Sequence, residues 1–555
     1  MESTSPKRIL IWHGYLLRGS GSNIYVNNLA RALCAQGHNV TVVCQDPFAG
    51  SMDFVDRFVG VRAGTDETIN RGNPGTCTVI QPDIGDLLAV YVHDDYDGFA
   101  QVKTLASMSD DEVESYVSNN VAALRTIVAE QQPEIIFTNH AVCSPVIVKR
   151  ADLGVPYYSY IHGSALEYAV KRDQRFFDLA VEGLSGAQNI LVGSHYLQAE
   201  LERLFADSEL DVHDKLRLMP CGVDVDIFRL DADKQEAKQH LSDSLSTFDP
   251  GNALKPELMN KLESHVAGRS RDVLESCIAD AQTHYDYTLP EAPFIEQGIA
   301  FNPTLRDDDT VNIYFLGKLI PQKGLQNLIV AFAELLASGK KATLTVTAFG
   351  KYREHYELML QALSAGGRNL LDTVLSTDPY FEPAREYYAA QDDEYFRRIA
   401  SAHPRSRVFF TGRLDHEEVV QLLPFMDLIV TPSVMPEAFG MVAIEGMACG
   451  VLSAVTDFSG LADVVAAAAG YLDESTMQLI RISPDDCVED LRKKLPALVE
   501  KAHHMTSEDR QKLRRIVVDQ FSWGKIAERF LEYVSSGDLP IANCPTGGPG
   551  FPSAN

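Results

Sequence analysis

Residues Arg8 to Trp12 form a short apolar run, and Gly14 to Gly21 a glycine-rich turn behind it. Val26, Leu29, Ala30 and Leu33 then fall at i, i+3, i+4 and i+7. A buried strand, a turn and a helix with one apolar face are predicted in that order. Gly37 closes the helix as a C-cap, and Val40 to Val43 is the next β-rich run. This order opens a parallel α/β sheet. Runs of strand length follow at Glu134 to Thr138, Tyr157 to Ile161 and Asn189 to Val192.

The opening recurs downstream. Val311 to Leu316 reads as a strand, followed by a turn with glycine and lysine. The next helix carries Leu325, Leu328, Ile329, Phe332, Leu335 and Leu336 on one stripe. Leu344 to Thr347, Val408 to Thr411 and Leu428 to Thr431 continue the sheet. Two α/β domains in tandem are therefore expected, at 1–225 and 311–520. Between them, residues 226–310 read as an inserted, mostly helical acidic element. Its stretch 231–310 holds sixteen acids and seven bases, or -9 of the chain's net charge of -28. Lys351 to His403 is a second insertion-like helical stretch, rich in Tyr and Arg. Residues 521–536 read as a final helix. The Pro/Gly/Ser-rich stretch 537–555 reads as a disordered tail.

With 77 acids against 49 bases, general affinity for nucleic-acid phosphate or anionic lipid is not expected. A local basic pocket for a small anion is compatible with that charge. The nine cysteines are scattered, with no CxxC pair, and read as reduced thiols. The longest apolar stretch, around Val464 to Leu472, falls short of the roughly 20 residues of a membrane-spanning helix. Met1 to Lys7 does not resemble the start of a signal peptide. A cytoplasmic protein is expected.

Two turns and one loop carry charge or glycine in patterns that suit an anion. Gly19-Ser-Gly21 lets the backbone approach a ligand at a helix start. As a dinucleotide fingerprint it is incomplete, since Ile24 stands where a third glycine belongs, and a structural turn is the plain alternative. Glu437-Ala-Phe-Gly-Met-Val-Ala-Ile-Glu445 follows a strand ending at Thr431. Here the N–H groups of Phe439, Gly440 and Met441 would point at a diphosphate in the cleft, while ordinary capping also explains carboxylates near a helix start. Lys318 and Lys323, in one turn of the second domain, lean toward a phosphate clamp.

Several of these segments together resemble the GT4 family of retaining glycosyltransferases. The match consists of Glu437 and Glu445 as Glu-x7-Glu, Gly317 to Gly324 as G-[KR]-L-x3-K-G, and Cys221-Gly-Val-Asp224 with Phe228. It also includes the glycine turn before Asn23-x5-Leu29-Ala30-x2-Leu33, and Phe521-Ser-Trp523 with Ile526-Ala527. The resemblance implies the GT-B fold, two facing Rossmann-like domains, with the last helix crossing back to the N-terminal one. It implies that Glu437 holds hydroxyls of a donor sugar and Glu445 the ribose of its nucleotide. Lys318, where the family more often has arginine, and Lys323 would neutralise the departing diphosphate. His162, in Tyr160-Ile-His-Gly163, matches a histidine close to donor sugar and acceptor. Gly19 and Gly21 match the loop over the phosphates, and Leu414 falls where the backbone contacts the base.

The implied reaction moves a sugar from a nucleotide-sugar to an acceptor hydroxyl with retention. In it the leaving phosphate takes the acceptor proton, and neither a cofactor nor a metal is expected. This chain departs from the family pattern at Gly446, usually alanine, at Leu452, often proline, and at Ser459-Gly460, usually Gly-Gly. Two rival readings stay open: a nucleotide-sugar epimerase, and a non-catalytic member that binds nucleotide-sugar. A UDP-sugar is the expected donor. The acceptor is expected to be a soluble sugar, sugar phosphate or small metabolite, because the acidic stretch 50–130 lacks a basic amphipathic helix for docking on anionic lipid.

Other motifs carry less. Asp94-Asp95-Tyr96-Asp97 contains an Asp-x-Asp metal pattern in the wrong family context, and Asp307-Asp308-Asp309 reads as a linker. His416-Glu417 begins like a zinc motif but has Val420 where the second histidine must stand. His503-His504 lies on a polar helix and needs no ligand.

Overall fold

A computed structural model of the chain describes residues 5–19, 21–91, 99, 101–248, 262, 270–283, 289–290 and 309–536. The N-terminal apolar run is strand β1 (Arg8–Trp12), which is apolar and buried from Ile9 to Trp12 because both its faces are covered there. Ile9 and Ile11 enter one hydrophobic layer with Val26, Leu29 and Leu33 of the helix Gly21–Ala35. Leu10 and Trp12 enter the opposite layer with Leu124 and Ile127 of the helix Asp110–Gln131. That second helix begins with a capping box between Ser109 and Glu112, and its first turn is acidic, as the helix dipole favours.

The first unit continues through β2 (Asn39–Val43), β3 (Arg57–Gly60), β4 (Thr65–Thr68) and β5 (Thr76–Gln81). After the separate pair β6 (Leu87–Val90) and β7 (Gln101–Thr104) come β8 (Ile135–Asn139), β9 (Tyr157–Ile161), β10 (Asn189–Val192) and β11 (Leu216–Leu218). Among the described residues these form a 9-stranded sheet in the order β11-β10-β9-β8-β1-β2-β5-β3-β4. Every pairing in it is parallel except β3 with β4. The chain leaves β1 toward β2 on one side and later returns to β8 on the other. The crevice of a doubly wound sheet lies at such a reversal, outside the carboxyl ends of the strands. His13 follows β1 there and His140 follows β8.

The second unit holds β12 (Val311–Lys318), β13 (Ala342–Phe349), β14 (Val408–Gly412), β15 (Leu428–Thr431), β16 (Leu452–Thr456) and β17 (Arg481–Ile482). They pair in the order β14-β13-β12-β15-β16-β17, all parallel. Counted from β12, that is 3-2-1-4-5-6, the order of a nucleotide-binding Rossmann sheet. Its reversal falls between β12, ending at Lys318, and β15, ending at Thr431. The chain is thus α/β throughout, with a Rossmann-like parallel sheet in each unit.

The units divide at Gly222/Val223 and at Ser522/Trp523, a few residues from the boundaries read in the sequence. The helix Trp523–Ser536 belongs to the first unit, where Ile526 and Phe530 join the layer of Ile9 and Ile11. Phe530 stands edge-on to Phe137 at 5.1 Å and to Tyr158 at 5.9 Å, and Trp523 edge-on to Tyr25 at 5.1 Å.

The acidic insertion is not a domain apart in its described portion. Its helices Lys234–Leu245 and Arg271–Gln282 belong to the second unit and bury Leu241, Leu245, Leu274 and Ile278. The first packs on the helix His416–Leu422, with the Ser244 hydroxyl donating to Glu418. The second is tied down by Gln282, which donates to Lys351 O at 3.0 Å and to Glu354 at 2.7 Å. Residues 353–401 form the helices Arg353–Ala365, Arg368–Leu375, Glu382–Ala389 and Asp393–Ser401. Most of 249–308, the Asp94–Asp97 motif and the tail 537–555 lie outside the described residues. Among the described residues no disulfide forms, and no helix is long and apolar enough to cross a membrane.

Candidate functional site

At the reversal of the second sheet, two loops are stitched together. Lys318 is the exposed last residue of β12, and Lys323 ends the short helix Pro321–Lys323. Gly324 follows with φ +75°, and a Cβ there would stand 1.8 Å from the carbonyl oxygen of Pro432. Only glycine satisfies both the left-handed backbone and that approach. The loop after β15 answers with Val434 N–H donating to Gln322 O at 2.9 Å. Lys323 and Glu437 are brought together as an ion pair, their side chains 29% and 19% exposed.

Glu437 itself is aimed by the helix that follows β16, Ser459–Ala467. Its N–H donates to the Ser459 hydroxyl at 3.0 Å, and its carbonyl accepts from Gly460 N–H at 2.9 Å. Ser459 adopts φ 54°, the left-handed geometry for which the family's usual glycine is suited. The departure at this position therefore replaces conformational ease with a side-chain acceptor. Phe439 packs its ring on Phe521 at 5.6 Å, and Gly440 is the N-cap of the helix Met441–Ala448. The opening N–H groups of that helix lack intrahelical acceptors, which makes its start suited to an anion.

Glu445 lies on the second turn of the same helix and is nearly buried. Gly446, beside it, leaves room for Ile429, whose Cδ1 would stand 2.1 Å from an added Cβ. Leu414 is buried in the loop between β14 and the helix His416–Leu422. His416 Nε2 lies 3.2 Å from Glu445 Oε1, and this bond, with the Glu445 charge and Asp224, raises the His416 pKa against the opposing effect of burial. Sequence reading missed that contact, having weighed His416 only as half of a zinc motif. Among the described residues no cluster of His, Cys, Asp or Glu suited to a metal ion forms.

In the first unit, Gly19 has φ +92° and Gly21 is already the first residue of the helix Gly21–Ala35. The turn before them is fixed by Asp46, which accepts from Leu17 N–H at 3.2 Å and pairs with Arg18 at 3.0 Å. His162 follows β9, with Nε2 3.0 Å from Asn139 Oδ1. An amide oxygen only accepts, so the imidazole proton sits on Nε2. Around His162 stand the rings of His140 at 4.8 Å, Tyr160 at 4.7 Å and Tyr25 at 5.4 Å. Burial first, and the neighbouring His13 second, push its pKa down to about 3. His140, with φ 69°, is held well below the usual histidine range by burial and by His162 and His13. The first crevice is therefore lined by neutral imidazoles, a feature that individual histidines scattered through the sequence did not signal.

Two family models match the chain. A glycosyl transferase 4-like domain matches residues 20–213, and glycosyl transferases group 1 matches residues 388–482. The chain belongs to the GT4-like group 1 glycosyltransferases. His162 lies in the first matched stretch, Glu437 and Glu445 in the second. A lipopolysaccharide 1,2-N-acetylglucosaminetransferase of Salmonella typhimurium LT2 is 25% identical over 235 residues, covering 42% of this chain and 50% of that protein. An uncharacterised glycosyltransferase of Methanocaldococcus jannaschii is 26% identical over 158 residues, covering 28% and 30%. The matches thus span about half the length of the first curated relative and under a third of the second. Among solved structures, sucrose-phosphate synthase from Thermosynechococcus elongatus is similar at TM-score 0.48 and 17% identity, covering 96% of this chain and 98% of that one. Anabaena HepE in complex with UDP and glucose is similar at TM-score 0.46 and 13% identity, covering 96% and 100%.

Proposed function

We propose that the chain transfers a sugar from a nucleotide-sugar, with a UDP-sugar as first choice, to a hydroxyl of a soluble acceptor, with retention at the anomeric carbon. The observation that carries this reading is the Lys323–Glu437 pair at the reversal of the second sheet, next to a helix start. Cleaving the donor builds negative charge on its diphosphate and positive charge on the sugar ring. Lys318, Lys323 and the free N–H groups around Gly440 supply fixed positive potential for the first. Glu437, anchored through its own backbone to Ser459 and Gly460, offers carboxylate oxygens to sugar hydroxyls. When a diphosphate takes up Lys323, the lysine exchanges one anionic partner for another and the Glu437 carboxylate is freed to accept from sugar hydroxyls.

Glu445 in this reading accepts from the ribose, and the backbone at Leu414 meets the base. The acceptor lies against the first unit, where Gly19 and Gly21 shape the turn and neutral His162 offers hydrogen bonds without charge. The two lysines do the work that a divalent cation does in other transferases, so the reaction is proposed to run without metal. The acidic character of the stretch 50–130 supports a soluble acceptor.

Glu437→Ala and Lys323→Ala are expected to abolish transfer while the melting curve stays close to wild type. Near-normal turnover in either variant refutes the assignments. A thermal-shift panel of UDP-, GDP-, ADP- and dTDP-sugars identifies the donor, since a ligand at about 100 times its Kd adds about 2.7 kcal/mol. Chelation that stops turnover refutes metal independence. Donor conversion without acceptor would identify an epimerase instead, and sedimentation with anionic vesicles would overturn the soluble acceptor.

A further inference from the structure

Glu445 makes one side-chain contact that the donor reading does not use. Its Oε1 is held by His416 Nε2 at 3.2 Å, and no other side-chain hydrogen bond to this carboxylate forms among the described residues. His416 is the first residue of the helix His416–Leu422, whose start is closed by a capping box between Asp415 and Glu418. Its ring meets the edge of Phe228 at 4.9 Å. The Phe228 segment is pinned by Arg514, which donates to Phe228 O at 2.7 Å, to Val225 O at 2.8 Å and to Ala448 O at 2.9 Å. Ala448 ends the helix that carries Glu445, so both partners of the contact are referenced to one frame. The His416 side chain is 47% exposed and that of Glu445 10%, which places the contact at the rim of the crevice, not in the core.

A lone carboxylate at such a rim can rotate and present either oxygen. Holding Oε1 removes that freedom and leaves Oε2 in one direction, where it accepts a ligand hydroxyl without first paying to be ordered. We propose that His416 is a positioning residue of the nucleotide site, fixing the Glu445 carboxylate so that it selects the ribose of a nucleoside diphosphate over a deoxyribose. This rests on reading the second unit as the donor site.

The test is calorimetric titration of the full-length protein with UDP, GDP and ADP, and then with the 2′,3′-dideoxy form of whichever binds. Wild type is expected to prefer the ribonucleotide by about ten-fold or more, the weight of one hydrogen bond to a charged group. His416→Leu is expected to lose that preference while the dideoxy affinity stays unchanged. His416→Gln, whose amide can also donate to Oε1, is expected to restore most of it. Equal weakening of both ligands in His416→Leu would mean a merely structural contact and overturns the proposal, as does a preference kept intact. Failure of every ribonucleotide to bind wild type overturns the donor-site reading, and the role of His416 with it. Binding by wild type with an indifferent His416→Leu overturns the His416 role alone.

Discussion

Acid should weaken the first unit through His13, and the size of the effect follows from its surroundings. Its Nε2 lies 2.9 Å from Asn23 Oδ1 and 3.0 Å from Leu16 O, so the neutral ring already spends its one N–H on two acceptors. Among the described residues Nδ1 is buried without a partner, and a second proton would enter that position with nothing to receive it. Burial accordingly pushes the pKa down to about 4, against the raising effect of Asn23 and Leu16. An unfolded histidine takes its proton near 6.5. Between those two values the unfolded chain holds the extra proton, so stability falls as pH falls. From His13 alone the loss is about 2 kcal/mol at about pH 5 and about 3 kcal/mol at about pH 4. Urea unfolding of wild type and His13→Gln at about pH 7.5 and about pH 5 measures it. The variant should be the less stable at the higher pH, having lost ring hydrogen bonds, and the gap should narrow by about 2 kcal/mol at the lower. A gap that does not change with pH refutes the reasoning.

Two further substitutions test how the second crevice is built. Gly324→Ala forces a Cβ into a left-handed backbone and 1.8 Å from Pro432 O, so a loss of at least about 1 kcal/mol is expected, together with weaker nucleotide binding in the thermal-shift panel. Unchanged melting and binding would show that the lysine loop is not seated on Pro432. Arg514→Met removes three hydrogen bonds to backbone carbonyls and is expected to lower stability by about 3 kcal/mol in chemical unfolding, with a change below about 0.5 kcal/mol counting against the frame described.

What the sequence revealed followed from burial. β1, β8, β9 and β10 are largely covered on both faces and so read as mostly apolar runs, as do β12 and β15, while β13 alternates buried threonines with apolar residues. The edge of the first sheet did not. β4 is Thr-Asp-Glu-Thr with every residue at least partly exposed, and β3 and β5 mix buried with partly exposed positions, so neither carried a strand signal. Glu437, Glu445, Lys318 and Lys323 were legible because their spacing sits inside short motifs. The bond from Ser459 to Glu437 and that from His416 to Glu445 join residues 22 and 29 positions apart, brought together by sheet order alone. Ser459 was read as a departure from a glycine pair, while its hydroxyl supplies a contact that glycine lacks.

The helix Trp523–Ser536 has a bearing on how the protein is made. The first unit owns residues up to Gly222 and again from Trp523, with the whole second unit encoded between. Until the last of these residues leave the ribosome, Phe137, Tyr158 and Tyr25 await the rings of Phe530 and Trp523 that cover them. Completion of the first unit before the second is synthesised is therefore closed to this chain. The nascent first unit must keep an apolar face open while some 300 residues are translated, and it is completed only after the second unit has had its chance to fold. A premature stop anywhere in the second unit would thus cost the first unit its final layer as well.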